Sequence, residues 1–393
     1  MKYLLEAVTV IAVGITAGSF LLYNTPEPEW KNEVIANDTY GKFVEIDSYG
    51  ENIGIVYLDS VDSGIRLMEK SYPDSVQELL LKTERSWDKQ VIDDDAETGM
   101  YPSLESNNGE LFISYQNGDL GDEKLYFASR SNGDWSREEV DNVAGGGVSV
   151  GMYSSLTFRN GEPVIFYHSP SQGLKVAEKQ GEEWQKQQLE EDQGWYTETA
   201  KCNGKIIAAY RGRDSSNLKT GELGQQWSSE DAGIEMKSDL DIDTRNCEEH
   251  LIYLDEETEQ ITYRGPEQER EFGASFFTRV SIVAEENIHL AYYDEGSGTV
   301  YAEKKQEGWN RTLVRESPEA GKYNDLTVRE NGDIHLVYTD DKAVYHSFYN
   351  RGTAEKLKET TDRIRQGLSV ISVFLIITLI WRRELVPGVL NKL

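Results

Sequence analysis

Two sets of side chains recur along this 393-residue chain with the types and spacing to handle a polar ligand. The first set follows apolar runs that end in tyrosine. Asp59, His168, Arg211 with Arg213, Asp255, Asp294, and Asp340 with Asp341 each lie within three residues of such a tyrosine. The second set is itself tyrosine: Tyr40, Tyr101, Tyr153, Tyr196 and Tyr323, the last four in a Gly-x-Tyr pattern. Aromatic faces stack on the apolar faces of sugar rings while charged groups fix orientation, so the chemistry these residues suit is recognition of a polar ligand such as a sugar. Residues repeated in every unit of a chain commonly hold the units together. His168, Arg211 and Arg213, which are not repeated, are therefore the sharper functional candidates.

The elements that must position these residues are legible as a repeat. The tyrosine-ended runs are NIGIVY to Tyr57, LFISY to Tyr115, PVIFY to Tyr167, IIAAY to Tyr210, HLIY to Tyr253, IHLAYY to Tyr293 and IHLVY to Tyr338. They alternate with a second phrase, a tryptophan followed five residues later by an aliphatic residue: Trp30 to Ile35, Trp87 to Ile92, Trp135 to Val140, Trp184 to Leu189, Trp227 to Ala232 and Trp309 to Val314. A period in the forties built from Val, Ile, Tyr and Phe and punctuated by Asn-Gly turns is that of a propeller with four antiparallel strands, A to D, per blade. Seven tyrosine-ended B strands predict an all-β, seven-bladed β-propeller over residues 30–350. Six blades are the alternative, because blade 5 lacks the tryptophan and its D strand near Gln268 to Phe272 is poor. The last blade has A, B and C strands but no D strand, while WKNEVI at Trp30 precedes any repeat. That stray strand predicts a ring closed by the N-terminus, which removes an open sheet edge.

With B strands ending where A strands begin, both residue sets fall on one face of the ring, around a central funnel. The unit YSSLTFRNGEPVIFYHSPSQGLKVAEKQGEEWQKQQLE resembles the repeat of secreted bacterial and archaeal propellers of the sialidase-like, BNR-type group, over roughly Trp30 to Tyr349. The resemblance implies the fold. Sialidases of that group carry Asp-box turns, of which only Gly-Glu-Glu-Trp184 and Gly-Gln-Gln-Trp227 remain here, without the Ser and Asp. Their arginine triad, tyrosine nucleophile and acid have no assignable counterparts, so no catalytic residue is carried over.

The chain ends suggest a membrane. Leu4 to Tyr23 is apolar except for Glu6 and long enough to span a bilayer; a cleaved signal peptide is the alternative. Leu368 to Trp381 is a shorter apolar run bounded by Arg382 and Arg383. These predict transmembrane helices at 1–23 and 367–383, a linker at 24–29, a charged helical stalk at 351–366 and a tail at 384–393. The positive-inside bias places both termini in the cytoplasm and the propeller outside the cell membrane, standing on the face opposite the funnel. Gly14 and Gly18 would let the first span pack on a partner helix.

The formal charge of −30, from 70 acidic and 40 basic residues, excludes a nucleic-acid-binding face and suits a halophilic, extracellular setting. The two cysteines, Cys202 and Cys247, lie near A–B turns of neighbouring blades; outside the cell they either pair or remain as buried thiols. Asn37 and Asn310 head glycosylation sequons. Asp239, Asp241 and Asp243 alternate along the A strand of blade 5, where a solvated acidic strand is favoured over calcium. No cofactor or metal motif occurs. The leading expectation is a membrane-anchored propeller that binds a glycan or protein without catalysis. The alternatives are a glycoside hydrolase or lyase, and a scaffold subunit of a membrane complex.

Overall fold

The alternation of large apolar and small polar residues, broken by turn dipeptides, folds each repeat into a four-stranded antiparallel meander. In blade 2 the strands are Met100–Asn107, Glu110–Asn117, Lys124–Ser131 and Asp134–Asp141, hydrogen-bonded in that order. The A–B turn, Asn108-Gly109, takes positive φ at both residues, as the two-residue hairpin connection requires. These features come from a computed structural model, which describes residues 27–363 and 366–367 except 38, 40, 73–84, 95–99, 119–121, 132, 143–147, 214–215, 275–278, 307 and 341.

Seven such blades are present among the described residues. Blades 1, 2, 3 and 6 are separate four-stranded sheets, whereas blades 4 and 5 share one seven-stranded sheet. The shared element is Trp227–Arg245, a continuous 19-residue strand that serves first as strand D of blade 4 and then as strand A of blade 5. Blade 5 has its own D strand at Gln268–Ala274, paired with Gln260–Gly265. Blade 7 takes its fourth strand from the chain's beginning: Trp30–Asn37 pairs antiparallel with Ala343–Tyr349, from Trp30 opposite Tyr349 to Asn37 opposite Ala343. Trp30 stacks on Tyr349, with ring centroids 5.4 Å apart, and meets Tyr301 of blade 6 edge-on at 5.2 Å.

The A strands adjoin one another around the axis and close the ring. The core lies between successive blades as seven apolar clusters, one per interface. The recurring B-strand tyrosine is buried in these interfaces, in blade 6 as Tyr292 and not the following Tyr293. In three blades its hydroxyl donates to a carboxylate on the preceding D strand: Tyr115 to Asp93 at 2.9 Å, Tyr167 to Asp141 at 2.6 Å and Tyr210 to Glu190 at 2.5 Å. A cation completes each group, Arg137 on Asp93, Lys175 on Asp141 and Lys219 on Glu190. The recurring tyrosine is therefore a blade-to-blade tie.

The flanking transmembrane helices expected of the fold are corrected. Among the described residues no helix is long and apolar enough to cross a membrane. One helix follows blade 7 over residues 351–363 and is charged, well short of the roughly 20 apolar residues a span needs. It is packed on the ring: Ala354 and Leu357 are buried, Arg351 pairs with Glu303 at 2.5 Å, and Thr353 N–H donates to Asp333 at 2.9 Å. The placement at a cell membrane, with the propeller outside and both termini cytoplasmic, rested on those two spans and is withdrawn with them, as is the membrane as a partner. Residues 1–23 and 368–383, with Gly14, Gly18 and the tail at 384–393, lie outside the described residues.

Candidate functional site

At the start of its A strand each of blades 1 to 4 carries a bulge. In blade 2 the pairing jumps from Met100 opposite Gln116 to Ser103 opposite Ser114, and in blade 3 from Met152 opposite His168 to Ser155 opposite Phe166. The residue inside the bulge is left-handed, with φ of 51° at Phe43, 52° at Tyr101, 50° at Tyr153 and 54° at Tyr196. Four bulky aromatic residues at positive φ are a costly arrangement, and such strain gathers where a side chain must be re-aimed. Here it turns the rings toward the axis. Tyr323 of blade 7 completes an unbroken arc: centroids are 5.3 Å apart for Tyr323 and Phe43, 4.9 Å for Phe43 and Tyr101, 4.5 Å for Tyr101 and Tyr153, and 4.8 Å for Tyr153 and Tyr196. Burial raises the pKa of each of the four tyrosines, Tyr196 to about 12, so all are neutral phenols.

The arc bounds a funnel of about 240 Å³, completed by Asp239 of blade 5, Arg279 ahead of blade 6, and Lys322. Arg279 ties the lining together. Its Nη2 lies 2.5 Å from Glu45 Oε1 of blade 1 and 3.1 Å from Glu198 Oε1 of blade 4, so one guanidinium bridges three blades across the axis. Its backbone is held in turn by blade 7, where Asn324 donates to the Arg279 carbonyl and Arg279 N–H donates to that of Lys322 at 2.8 Å.

Carboxylates line the channel at alternate A-strand positions, and four of them accept the backbone N–H of the next blade. Asp47 receives Ser106 N–H at 2.6 Å, Asp241 receives Ile282 N–H at 2.8 Å, Asp243 receives Ala284 N–H at 2.8 Å, and Asp325 receives Ile46 N–H at 2.8 Å. Asp239, Asp241 and Asp243 thus face the channel, which corrects their reading as a solvated strand. Burial pushes these groups up: Asp47, Glu198 and Asp239 to about 7, and Glu45 and Asp241 well above their ordinary range despite Arg279 beside Glu45. No group of three or more His, Cys, Asp or Glu suited to holding a metal ion occurs among the described residues.

Of the residues singled out from the sequence, the structure brings Tyr101, Tyr153, Tyr196 and Tyr323 together in the funnel. Tyr40 lies outside the described residues, and Phe43 stands in blade 1 where a tyrosine was expected. The residues past the B strands are committed elsewhere. Asp59 is buried and accepts Val61 and Asp62 N–H at 3.2 Å; Asp340 accepts Lys342 and Ala343 N–H at 2.8 Å, each closing its own B–C turn. Asp255 does likewise for Glu257 and Thr258, and Asp294 pairs with Arg311 at 3.0 Å. His168 is buried against Trp195 and donates Nδ1–H to the Gln193 carbonyl at 2.9 Å; burial keeps it neutral. Arg211 donates to the Met236 carbonyl and to Ser216, and exposed Arg213 pairs with Asp192 at 3.7 Å. Cys202 and Cys247 form a disulfide between blades 4 and 5, with Cα atoms 5.1 Å apart. Asn37 and Asn310 are exposed on outer strands. Phe43, Asp239 and Arg279 were missed as site residues. Gly41-x-Phe43 repeats the Gly-x-Tyr register and would have found the first.

No protein-family model matches the sequence, and no curated protein sequence matches it. Solved structures do. AofleA from Arthrobotrys oligospora aligns with a TM-score of 0.47 at 11% identity, over 82% of this chain and 86% of that one. The Aleuria aurantia lectin, in complex with Fucalpha1-6GlcNAc, aligns with a TM-score of 0.47 at 11% identity, over 63% of this chain and 90% of the lectin. A Trypanosoma rangeli sialidase mutant aligns with a TM-score of 0.44 at 11% identity, over 83% of this chain and 56% of the sialidase. The likeness concerns the fold alone, and at that level the chain resembles sialidase-like propellers, as its repeat does.

Proposed function

We propose that this propeller binds a glycan through its axial funnel and performs no chemistry on it. The observation that carries the reading is the arc of Phe43, Tyr101, Tyr153, Tyr196 and Tyr323, the first four aimed at the axis by a bulge repeated in blades 1 to 4. Its rings present stacking faces, while Asp239, Lys322 and the tyrosine hydroxyls offer polar contacts. A cavity of about 240 Å³ lies just under the ~300 Å³ at which drug-sized pockets begin, which suits one terminal sugar residue entering along the axis.

One observation favours hydrolysis as a second reading. Asp239 and Glu198 line the same funnel, and both carboxyls are raised to about 7, where a general acid works. Against it, Glu198 is held by Arg279, which leaves a single uncommitted carboxylate where glycoside hydrolysis uses two. A glycan array probed with the full-length protein, alongside Tyr153→Ala, tests the binding reading. Retention of a defined set of glycans by the wild type, weakened about tenfold by the loss of a stacking face, is expected. An empty array, or binding indifferent to Tyr153, sinks it. Release of product from a panel of 4-nitrophenyl glycosides, abolished in Asp239→Asn, would establish the hydrolase instead.

A further inference from the structure

One carboxylate in the funnel has no counterpart. Asp239 stands in blade 5 at the bulge position that Phe43, Tyr101, Tyr153 and Tyr196 hold in blades 1 to 4, and shares their left-handed backbone with φ of 44°. Glu45 and Glu198 are taken by Arg279, Glu105 by Lys201 at 2.5 Å, and Asp47, Asp241, Asp243 and Asp325 by backbone N–H groups. Asp239 alone among these channel carboxylates receives no hydrogen bond and no salt bridge within 4 Å from the described residues. It is nonetheless surrounded: Tyr101, Tyr153, Tyr196 and Tyr323 face it from four blades, Glu198 from blade 4 and Arg279 from blade 6.

We propose that Asp239 and the aromatic arc form a cage for a protonated amine, so that the sugar bound at the funnel is an amino sugar with a free ammonium group. The proposal rests on the glycan reading above and names its ligand class. The faces of aromatic rings carry negative potential and attract a cation set over them, the more so where water is excluded. Five contiguous rings supply that attraction, and Asp239 supplies the countercharge that a desolvated ammonium requires. Asp239 has no hydrogen-bond or ion-pair partner within 4 Å among the described residues, and desolvation pushes its carboxyl up to about 7 despite the more distant Arg279; an ammonium would supply the partner. Arg279 does not reverse the sign, because its guanidinium is shared between Glu45 and Glu198. A carboxylated sugar gains nothing from the ring faces and meets Asp239, and of the two cations lining the funnel Arg279 is shared between Glu45 and Glu198 while Lys322 pairs with Glu319 at 3.2 Å.

The test is calorimetric titration of the full-length protein and of Asp239→Asn with the methyl glycosides of glucosamine, N-acetylglucosamine and glucuronic acid, and with choline. Monovalent probes avoid the general attraction of a −30 protein for polycations. The wild type is expected to bind the glucosamine glycoside at least about tenfold more tightly than its acetylated form, and the glucuronide not at all. Asp239→Asn should lose about tenfold for glucosamine and less than about twofold for N-acetylglucosamine, with an unchanged or higher Tm, since no partner is lost. Equal binding of the two hexosamines, or equal losses in the variant, overturns the cage and leaves the glycan reading standing. Binding of choline with no sugar bound keeps the cage and overturns the glycan reading. No binding of any probe overturns both.

Discussion

Replacing Arg279 by methionine removes the one guanidinium that bridges blades 1, 4 and 6. It leaves Glu45 and Glu198, previously 2.5 and 3.1 Å from Nη2, without their countercharge. Breaking a buried ion pair by removing one partner costs roughly 3–5 kcal/mol, because the charge left behind is desolvated and unpaired. Unfolding entropy runs at about 2.1 cal/mol/K per residue, so across a propeller of this length that loss lowers Tm by roughly 5–7 °C. The loss should depend on pH. Burial raises Glu198 to about 7 and Glu45 well above its ordinary range, both above their unfolded values. Groups shifted this way favour the folded state below the unfolded carboxylate range, and their contribution is lost as pH rises through about 7. Without Arg279 both carboxyls stay protonated at pH 5, where the variant loses little; at pH 8 the folded state must either ionise them unaided or hold protons that the unfolded chain has released, and the full loss appears. Buried histidines act in the opposite sense. Burial lowers His250 and His289 to about 4 and His335 well below its ordinary value, so their contribution is lost as pH falls from the unfolded value through those lowered values. They are common to both proteins and cancel in the difference. Thermal and urea unfolding of wild type and Arg279→Met at pH 5, 6.5 and 8 measures this directly. A loss below about 1 kcal/mol at pH 8, or one equal at pH 5 and 8, would refute the account of Arg279 as the channel's counterion.

Two further predictions concern what holds the ring. Serine at both Cys202 and Cys247 opens a covalent loop with a sequence separation of 45, and should lower unfolding stability by about 2–4 kcal/mol in urea; full reduction of the wild type should give the same shift. Glu33 on the N-terminal strand accepts from Lys70 at 2.9 Å, Tyr72 at 3.0 Å and His346 at 3.0 Å. Burial pushes its carboxyl up, but the hydrogen bonds from His346 and Lys70 outweigh that and hold it at about 2, so its contribution is present above the unfolded range and lost as pH falls through about 2. Glu33→Ala should cost about 2–3 kcal/mol at neutral pH, with amide exchange accelerating first along Trp30–Asn37.

Periodicity carried much of the architecture. The tyrosine-ended runs and the tryptophan phrase marked B and D strands, because burial between blades demands the same apolar residues at the same step. A strand pattern locates a side chain along the chain but does not say where its polar atoms go. Asp59 and Asp340 were read as facing the funnel, yet each folds back onto the N–H groups two and three residues on, a local competition that period-2 reasoning does not see. Arg211 is spent on a neighbouring carbonyl for the same reason. Phe43 escaped because the search followed tyrosine as a residue type and not the position two after glycine. Arg279 left no local signal, since its role depends on reaching Glu45 and Glu198, far away in sequence. The apolar ends suggested spans by composition alone, and the helix over residues 351–363 shows how a charged segment expected to stand off from the ring is instead packed against it.

The 19-residue strand Trp227–Arg245 makes the ring mechanically uneven. Elsewhere neighbouring sheets are held by side-chain packing and scattered hydrogen bonds, and can tilt against one another. Blades 4 and 5 share one continuous strand toward the funnel and a disulfide at their opposite turns, so they move as one plate. Asp239 is mounted on that plate. Phe43, Tyr101, Tyr153 and Tyr323 ride on separate sheets, so adjustment to a guest falls to the aromatic wall, while the acid that would orient it stays put like the fixed jaw of a vice.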